Sequence, residues 1–164
     1  MSGRPRRIGI MGHTGRPGVR REAERLRTRL KRAGCQVEIE RDLAAGTDLD
    51  RAPSLPALAS WCDVLVALGG DGTALTAARA LAGKRGTLLA INLGGLGFLT
   101  AVEARDADAA LRAVLRAEWP VVARRIVSAT VARGGKVIQR GFAMNDVVVK
   151  GAGGYAALHL KLAA

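Results

Sequence analysis

Residues 62–73 read Cys62-Asp63-Val64-Leu65-Val66-Ala67-Leu68-Gly69-Gly70-Asp71-Gly72-Thr73: an apolar run that breaks into three glycines around one carboxylate. An alanine- and leucine-rich stretch with helical character follows. Short, unbroken apolar runs of this kind suit strands buried on both faces of a parallel sheet. Glycines permit positive φ and close approach to the backbone, so a strand ending this way exposes several N–H groups to one point. Thr73 is expected to cap the helix that follows, and a helix N-terminus favours negative charge. Phosphate chemistry is the natural reading of such a turn. A carboxylate beside phosphate is repelled unless a metal or a proton transfer is involved, so Asp71 reads as a base or a metal partner.

Working outward, the same alternation recurs. Strands are expected at Arg7–Met11, Gln36–Glu40, Asp63–Leu68 and Thr87–Ile91. Between them lie a glycine-bearing loop through Gly18 that leads into a helix in the basic segment Arg16–Arg32, a short helix before Trp61 and a helix from Thr73 to about Ala82. In the first helix Val19, Ala23, Leu26, Leu30 and Ala33 share one face, which leaves the arginines on the solvated face. Asp106 is expected to cap a further helix through Arg116, closed by Trp119 and Pro120. This is an α/β pattern with a doubly wound, mostly parallel sheet, whose ligands bind at the carboxyl ends of the strands.

Beyond that point the periodicity changes. Val121–Ala132, Val137–Phe142 and Val147–Lys150 read as strands, with Gly134-Gly135 as a hairpin turn. Residues 1–120 are thus expected to form an α/β nucleotide-binding domain. Residues 121–164 read as the start of an all-β second domain that is incomplete at this length. Final strands across Tyr155–Leu162 would expose an unpaired edge, so poor solubility is expected.

Composition narrows the function. Hydrophobic residues make up 49% of the 164 and aromatics only 3%, so the core must be aliphatic. No apolar run approaches the roughly 20 residues of a membrane span, and the amino-terminal segment lacks a secretory signal, which points to a cytoplasmic protein. Cys35 and Cys62 lack metal-ligand spacing and read as free core thiols. The net charge of +12 raises a nucleic-acid reading. Without aromatic interleaving, a recognition-helix pattern or zinc spacing, specific nucleic-acid binding is not expected, and an anionic small substrate explains the sign equally well.

Known phosphate loops fail on spacing. No Gly-Lys-Ser/Thr ending is present, and a dinucleotide fingerprint would need Gly or Ala where Leu75 stands. Two further motifs follow instead. Asn92-Leu93-Gly94-Gly95-Leu96-Gly97-Phe98-Leu99-Thr100 again leaves an apolar strand, at the same sheet edge as Asp71. Phe98 there can stack on a purine, or it can belong to the core. Asn145-Asp146 interrupts two apolar segments and supplies both donors and acceptors for a ribose or an adenine, or else forms a turn. His13, Thr14, Gly15 and Arg16 occupy the loop after the first strand and can reach a triphosphate, or remain a solvated loop.

The order GGDGT, then INLGGLGFLT, then AMNDVVV closely resembles the NAD kinase family, from the opening IGIMGHTGR to the last residue. The first turn is shared with diacylglycerol and sphingosine kinases and some phosphofructokinases; the other two single out NAD kinase. The resemblance implies transfer of the γ-phosphoryl group of ATP, or of polyphosphate, to the 2′-hydroxyl of the adenosine ribose of NAD, with a divalent metal such as Mg2+. It implies Asp71 as proton acceptor, with Gly70, Gly72, Thr73, Phe98, Asn145 and Asp146 around the nucleotides and no residue assigned to metal. It also implies a homo-oligomer at full length. A later TGSTAY-type segment of the family is missing, so a truncated form is expected, either active or inactive by itself. The alternatives are a lipid or sugar kinase of the same superfamily and a non-catalytic anion-binding module.

Overall fold

A computed structural model describes residues 7–47, 51–94, 97–100 and 102–148. Strands β1 (Arg7–Gly12), β2 (Gln36–Ile39), β3 (Val64–Gly69), β4 (Thr87–Asn92) and β5 (Val102–Glu103) form one parallel sheet in the order β2-β1-β3-β4-β5. Helices α1 (Val19–Arg32), α2 (Arg41–Ala44), α3 (Leu55–Trp61), α4 (Asp71–Leu81) and α5 (Ala107–Leu115) connect and cover it. Strands β6 (Val127–Arg133) and β7 (Lys136–Ala143) form a separate antiparallel hairpin.

The period-2 alternation of β3 explains why helices lie on both faces. Val64, Val66 and Leu68 join one apolar cluster with Val19, Ala23, Leu26 and Leu30 of α1 and with Ala107, Ala110 and Leu111 of α5. Leu65 and Ala67 join the other, with Leu58 of α3 and Ala77 and Leu81 of α4. All six residues of β3 are buried, as its unbroken apolar run requires. Gly9 of β1 admits α3 to close packing: a Cβ there would lie 2.9 Å from Leu58 Cγ and 3.1 Å from Leu65 Cδ1.

This arrangement fixes where a ligand can sit. The chain leaves β1 for α1 on one face and leaves the neighbouring β3 for α4 on the other. The two loops therefore part at the carboxyl ends of β1 and β3, which opens a crevice at the switch point of the sheet.

Several expectations need correction. Strand β2 stops at Ile39 because the Glu40 side chain turns back to accept the Leu43 N–H at 3.3 Å, capping the one-turn helix α2. Ala33 is exposed as the C-cap of α1 rather than part of its buried stripe. Asp106 makes no side-chain cap; it belongs to a 3-10 turn, Ala104–Asp106, that leads into α5. Cys62 is buried, whereas Cys35 is only partly buried at the edge of the core.

In the later part, Gly134 and Gly135 carry φ of 55° and 75°, the pair of positive values that a tight hairpin turn needs. The strand expected over Val121–Ala132 starts only at Val127. That residue pairs with Ala143, the last of β7, so residues 121–126 have no ladder partner among the described residues. Val147 and Val148 are exposed and not in a strand. Residues 149–150 and the strands expected across Tyr155–Leu162 lie outside the described residues.

Candidate functional site

Gly69 ends β3, Gly70 takes the N-cap position in an extended conformation, and Asp71 is the first residue of α4. The cap therefore falls three residues earlier than expected, and Thr73 does not provide it. Its main-chain N–H instead donates to the Gly70 carbonyl at 3.0 Å, and its side chain closes over Gly69, where an added Cβ would lie 2.9 Å from Thr73 Cβ. Glycine at 69 is thus required by the first turn of α4. Gly72 is exposed, with open space where a side chain would stand.

The Asp71 carboxylate is half-buried and bound on both oxygens. The Phe98 N–H donates to Oδ2 at 2.9 Å and the Leu99 N–H to Oδ1 at 3.0 Å. These bonds, first that from Phe98 and then that from Leu99, hold the acid below the usual carboxylate range. The positive end of α4 favours the same ionised form. Two N–H groups of the turn after β4 thus cradle the carboxylate.

The turn that supplies them is built from Asn92, the last residue of β4, which sits beside Gly69 in the ladder. Asn92 is buried; its Nδ2 donates to Thr100 Oγ1 at 3.1 Å, and its Oδ1 accepts the Gly94 N–H at 3.0 Å. Gly97 lies between these groups: a Cβ there would stand 2.6 Å from Asp71 Oδ1 and 3.2 Å from Asn92 Nδ2. Phe98 is 94% exposed, which removes the core reading and leaves its ring accessible, while its main-chain N–H is bonded to the Asp71 carboxylate.

The loop after β1 reaches the same edge. The His13 N–H donates to the Leu68 carbonyl at 3.1 Å, and the Arg16 N–H donates to the His13 carbonyl at 2.9 Å. The Arg16 guanidinium then donates through Nη1 to the Gly94 carbonyl at 3.2 Å. Arg16 thereby joins the loops after β1 and β4, while His13, Thr14 and Gly15 are exposed. A cation, an ionised carboxylate and an exposed aromatic ring thus share the carboxyl edge of the sheet.

The bonds to the Asp71 carboxylate come from residues 98 and 99, not from Asn145 or Asp146. Both are exposed, in the segment just after β7. Asn92, Gly97, Leu99 and Thr100 are members of the site that the sequence reading does not assign. An Asn ending an apolar strand two residues before a glycine was the available signal, since Asn side chains bond the backbone two residues on.

With both oxygens engaged, the carboxylate still has lone-pair capacity for a further donor. It can orient a hydroxyl and take its proton. Among the described residues no group of three or more His, Cys, Asp or Glu could hold a metal ion. No helix among them is long and apolar enough to cross a membrane.

Comparison with known proteins bears on this geometry. Residues 8–119 match the family described as the ATP-NAD kinase N-terminal domain. The chain is 37% identical over 146 residues to the NAD kinase of Polaromonas sp. strain JS666, a match covering 88% of this chain and 50% of that protein. It is 33% identical over 155 residues to NAD kinase 2 of Streptomyces coelicolor, covering 92% and 52% respectively. The chain therefore spans about half the length of the curated relatives it matches. A crystal structure of yeast NADH kinase complexed with NADH superposes with a TM-score of 0.70 at 20% identity, over 88% of this chain and 48% of that one. That likeness establishes the fold.

Proposed function

Because this chain belongs to the NAD kinase family, we propose that it carries the base and nucleotide-binding edge of an enzyme that phosphorylates NAD. In that reaction the γ-phosphoryl group of ATP passes to the 2′-hydroxyl of the adenosine ribose, giving NADP. The observation that carries the reading is the Asp71 carboxylate, fixed and kept ionised by the Phe98 and Leu99 N–H groups at the switch point of the sheet. Two domains are part of the proposal, with residues 1–120 as the α/β half and the β-rich second half beginning at 121.

Asp71 accepts the ribose hydroxyl's hydrogen bond and takes its proton as the oxygen attacks phosphorus. A positioned base of this kind contributes about 10²- to 10⁴-fold. The rest of the acceleration comes from holding the hydroxyl and the phosphoryl group in line. The Phe98 ring offers a stacking surface for adenine, and Asn145 with Asp146 supply donors and acceptors for the adenosine portion. Gly70, Gly72 and Thr73 form the close-approach turn beneath the nucleotide, with His13, Thr14, Gly15 and Arg16 on the triphosphate side. Arg16 is the charged group there, and its bond to the Gly94 carbonyl is exchangeable for a phosphate oxygen. Magnesium, if it travels with the triphosphate, shields the charge that builds on the transferring group, and no residue of this chain is assigned to it.

Label transfer from [γ-32P]ATP tests the reading against its neighbours. The chain, alone and continued by the second half of the Polaromonas relative, is offered NAD, diacylglycerol or a sugar as acceptor with magnesium present. The proposal expects label in NADP and in neither other product. Label in the lipid or sugar, with none in NADP, overturns it.

A further inference from the structure

The buried amide of Asn92 does more than end a strand. We propose that Asn92 is the positioning residue of the site, folding the turn after β4 so that the N–H groups of Phe98 and Leu99 hold the Asp71 carboxylate in one orientation. The inference rests on the reading of Asp71 as the base.

Asn92 is 7% exposed, and a polar group so buried requires partners. Bonds from its side chain reach both ends of one turn: the Gly94 N–H at 3.0 Å and Thr100 Oγ1 at 3.1 Å. Between those ends the chain presents the Phe98 and Leu99 N–H groups to Asp71 at 2.9 and 3.0 Å. Gly97 is the spacer. A Cβ on it would crowd both Asp71 Oδ1 and Asn92 Nδ2, at 2.6 and 3.2 Å, so the amide acts on the acid through the turn across a gap that only glycine leaves open.

An amide suits this place because it donates and accepts at once. A carboxylate at position 92 would lose the donor and set a like charge beside Asp71. The charged group that approaches the turn from the loop after β1 is Arg16, through the Gly94 carbonyl, with His13 preceding it in that loop. Within α4 and residues 97–100, Asp71 itself is the only acidic group.

The test follows the Asp71 carboxyl carbon by 13C NMR through an acid titration of the 164-residue chain, in the wild type, Asn92→Ala and Thr100→Val. In the wild type the midpoint should lie below the usual carboxylate range. In both variants it should move upward, and the Phe98 and Leu99 amide protons should exchange faster. Thr100→Val preserves shape and removes only the hydroxyl, so it decides the matter if Asn92→Ala fails to fold. In the phosphorylation assay kcat should fall about 10²-fold, the scale expected for a misplaced catalytic group, with KM for NAD unchanged.

A midpoint that stays put in a folded variant overturns the proposal. Because the titration needs no substrate, it separates two failures. A shifted midpoint without any NAD phosphorylation refutes the kinase reading, and an unshifted midpoint with Asp71-dependent phosphorylation refutes the positioning role alone.

Discussion

The main-chain N–H of Leu99 stands 3.0 Å from Oδ1 of Asp71, so the loop after β4 is latched to the first residue of α4 across 28 positions of sequence. The latch involves a charged acceptor, which makes it roughly twice as strong as a neutral bond and sensitive to protonation. It also explains why a carboxylate belongs among glycines: the glycines clear space, and the opposite turn supplies the donors.

Acid should release this latch. The folded pKa of Asp71 is lowered, chiefly by the Phe98 N–H and next by that of Leu99. Its contribution to stability is therefore complete above the unfolded carboxylate value and disappears as pH falls through the lower folded value. Thermal melts below the usual carboxylate range should show the wild type losing stability with acidification, and Asp71→Asn should flatten part of that slope. Equal slopes in the two proteins would mean that the latch is not formed in solution.

Strand packing gives a second prediction. Gly9→Ala places a methyl group 2.9 Å from Leu58 Cγ within a full core, so it should destabilise by about 1–3 kcal/mol in chemical denaturation. Gly141→Ala, in β7 with open space around it, serves as the comparison. It should be neutral or stabilising by about 0.5–1 kcal/mol, since alanine restricts the unfolded chain more than glycine does. Similar losses at both positions would contradict the close approach of α3 to β1.

How far the sequence alone reaches is clear from particular elements. The β3 run and the helical spacing of Val19, Ala23, Leu26 and Leu30 dictate burial through local periodicity, so the sheet and its α1 layer were legible. The hairpin was legible too, because Gly134-Gly135 satisfies a steric demand within two residues. Thr73 misled because capping propensity is a local prior, whereas Gly70 and Asp71 begin α4 in response to a bond from a distant turn. Asn92 was missed for the same reason: its role depends on Thr100 and on a neighbouring strand. Val121–Val122 read as strand from β-propensity alone, which cannot report whether a pairing partner exists.

The two thiols should differ in reactivity. Burial raises the pKa of both, but Cys62 is buried in the α3–α4 cluster while Cys35 lies at the core's margin. A disulfide-exchange reagent at neutral pH should label Cys35 first and Cys62 only on unfolding. Equal rates in the native protein would contradict the packing of α3 on the sheet.

The catalytic assignment of Asp71 is tested most directly by NADP formation from NAD, ATP and magnesium in the extended form of the chain, comparing wild type with Asp71→Asn. The substitution keeps shape and removes the basic oxygen, so the account predicts a loss of about 10²- to 10⁴-fold in kcat with the fold intact. An Asp71→Asn protein that phosphorylates NAD at the wild-type rate would contradict it.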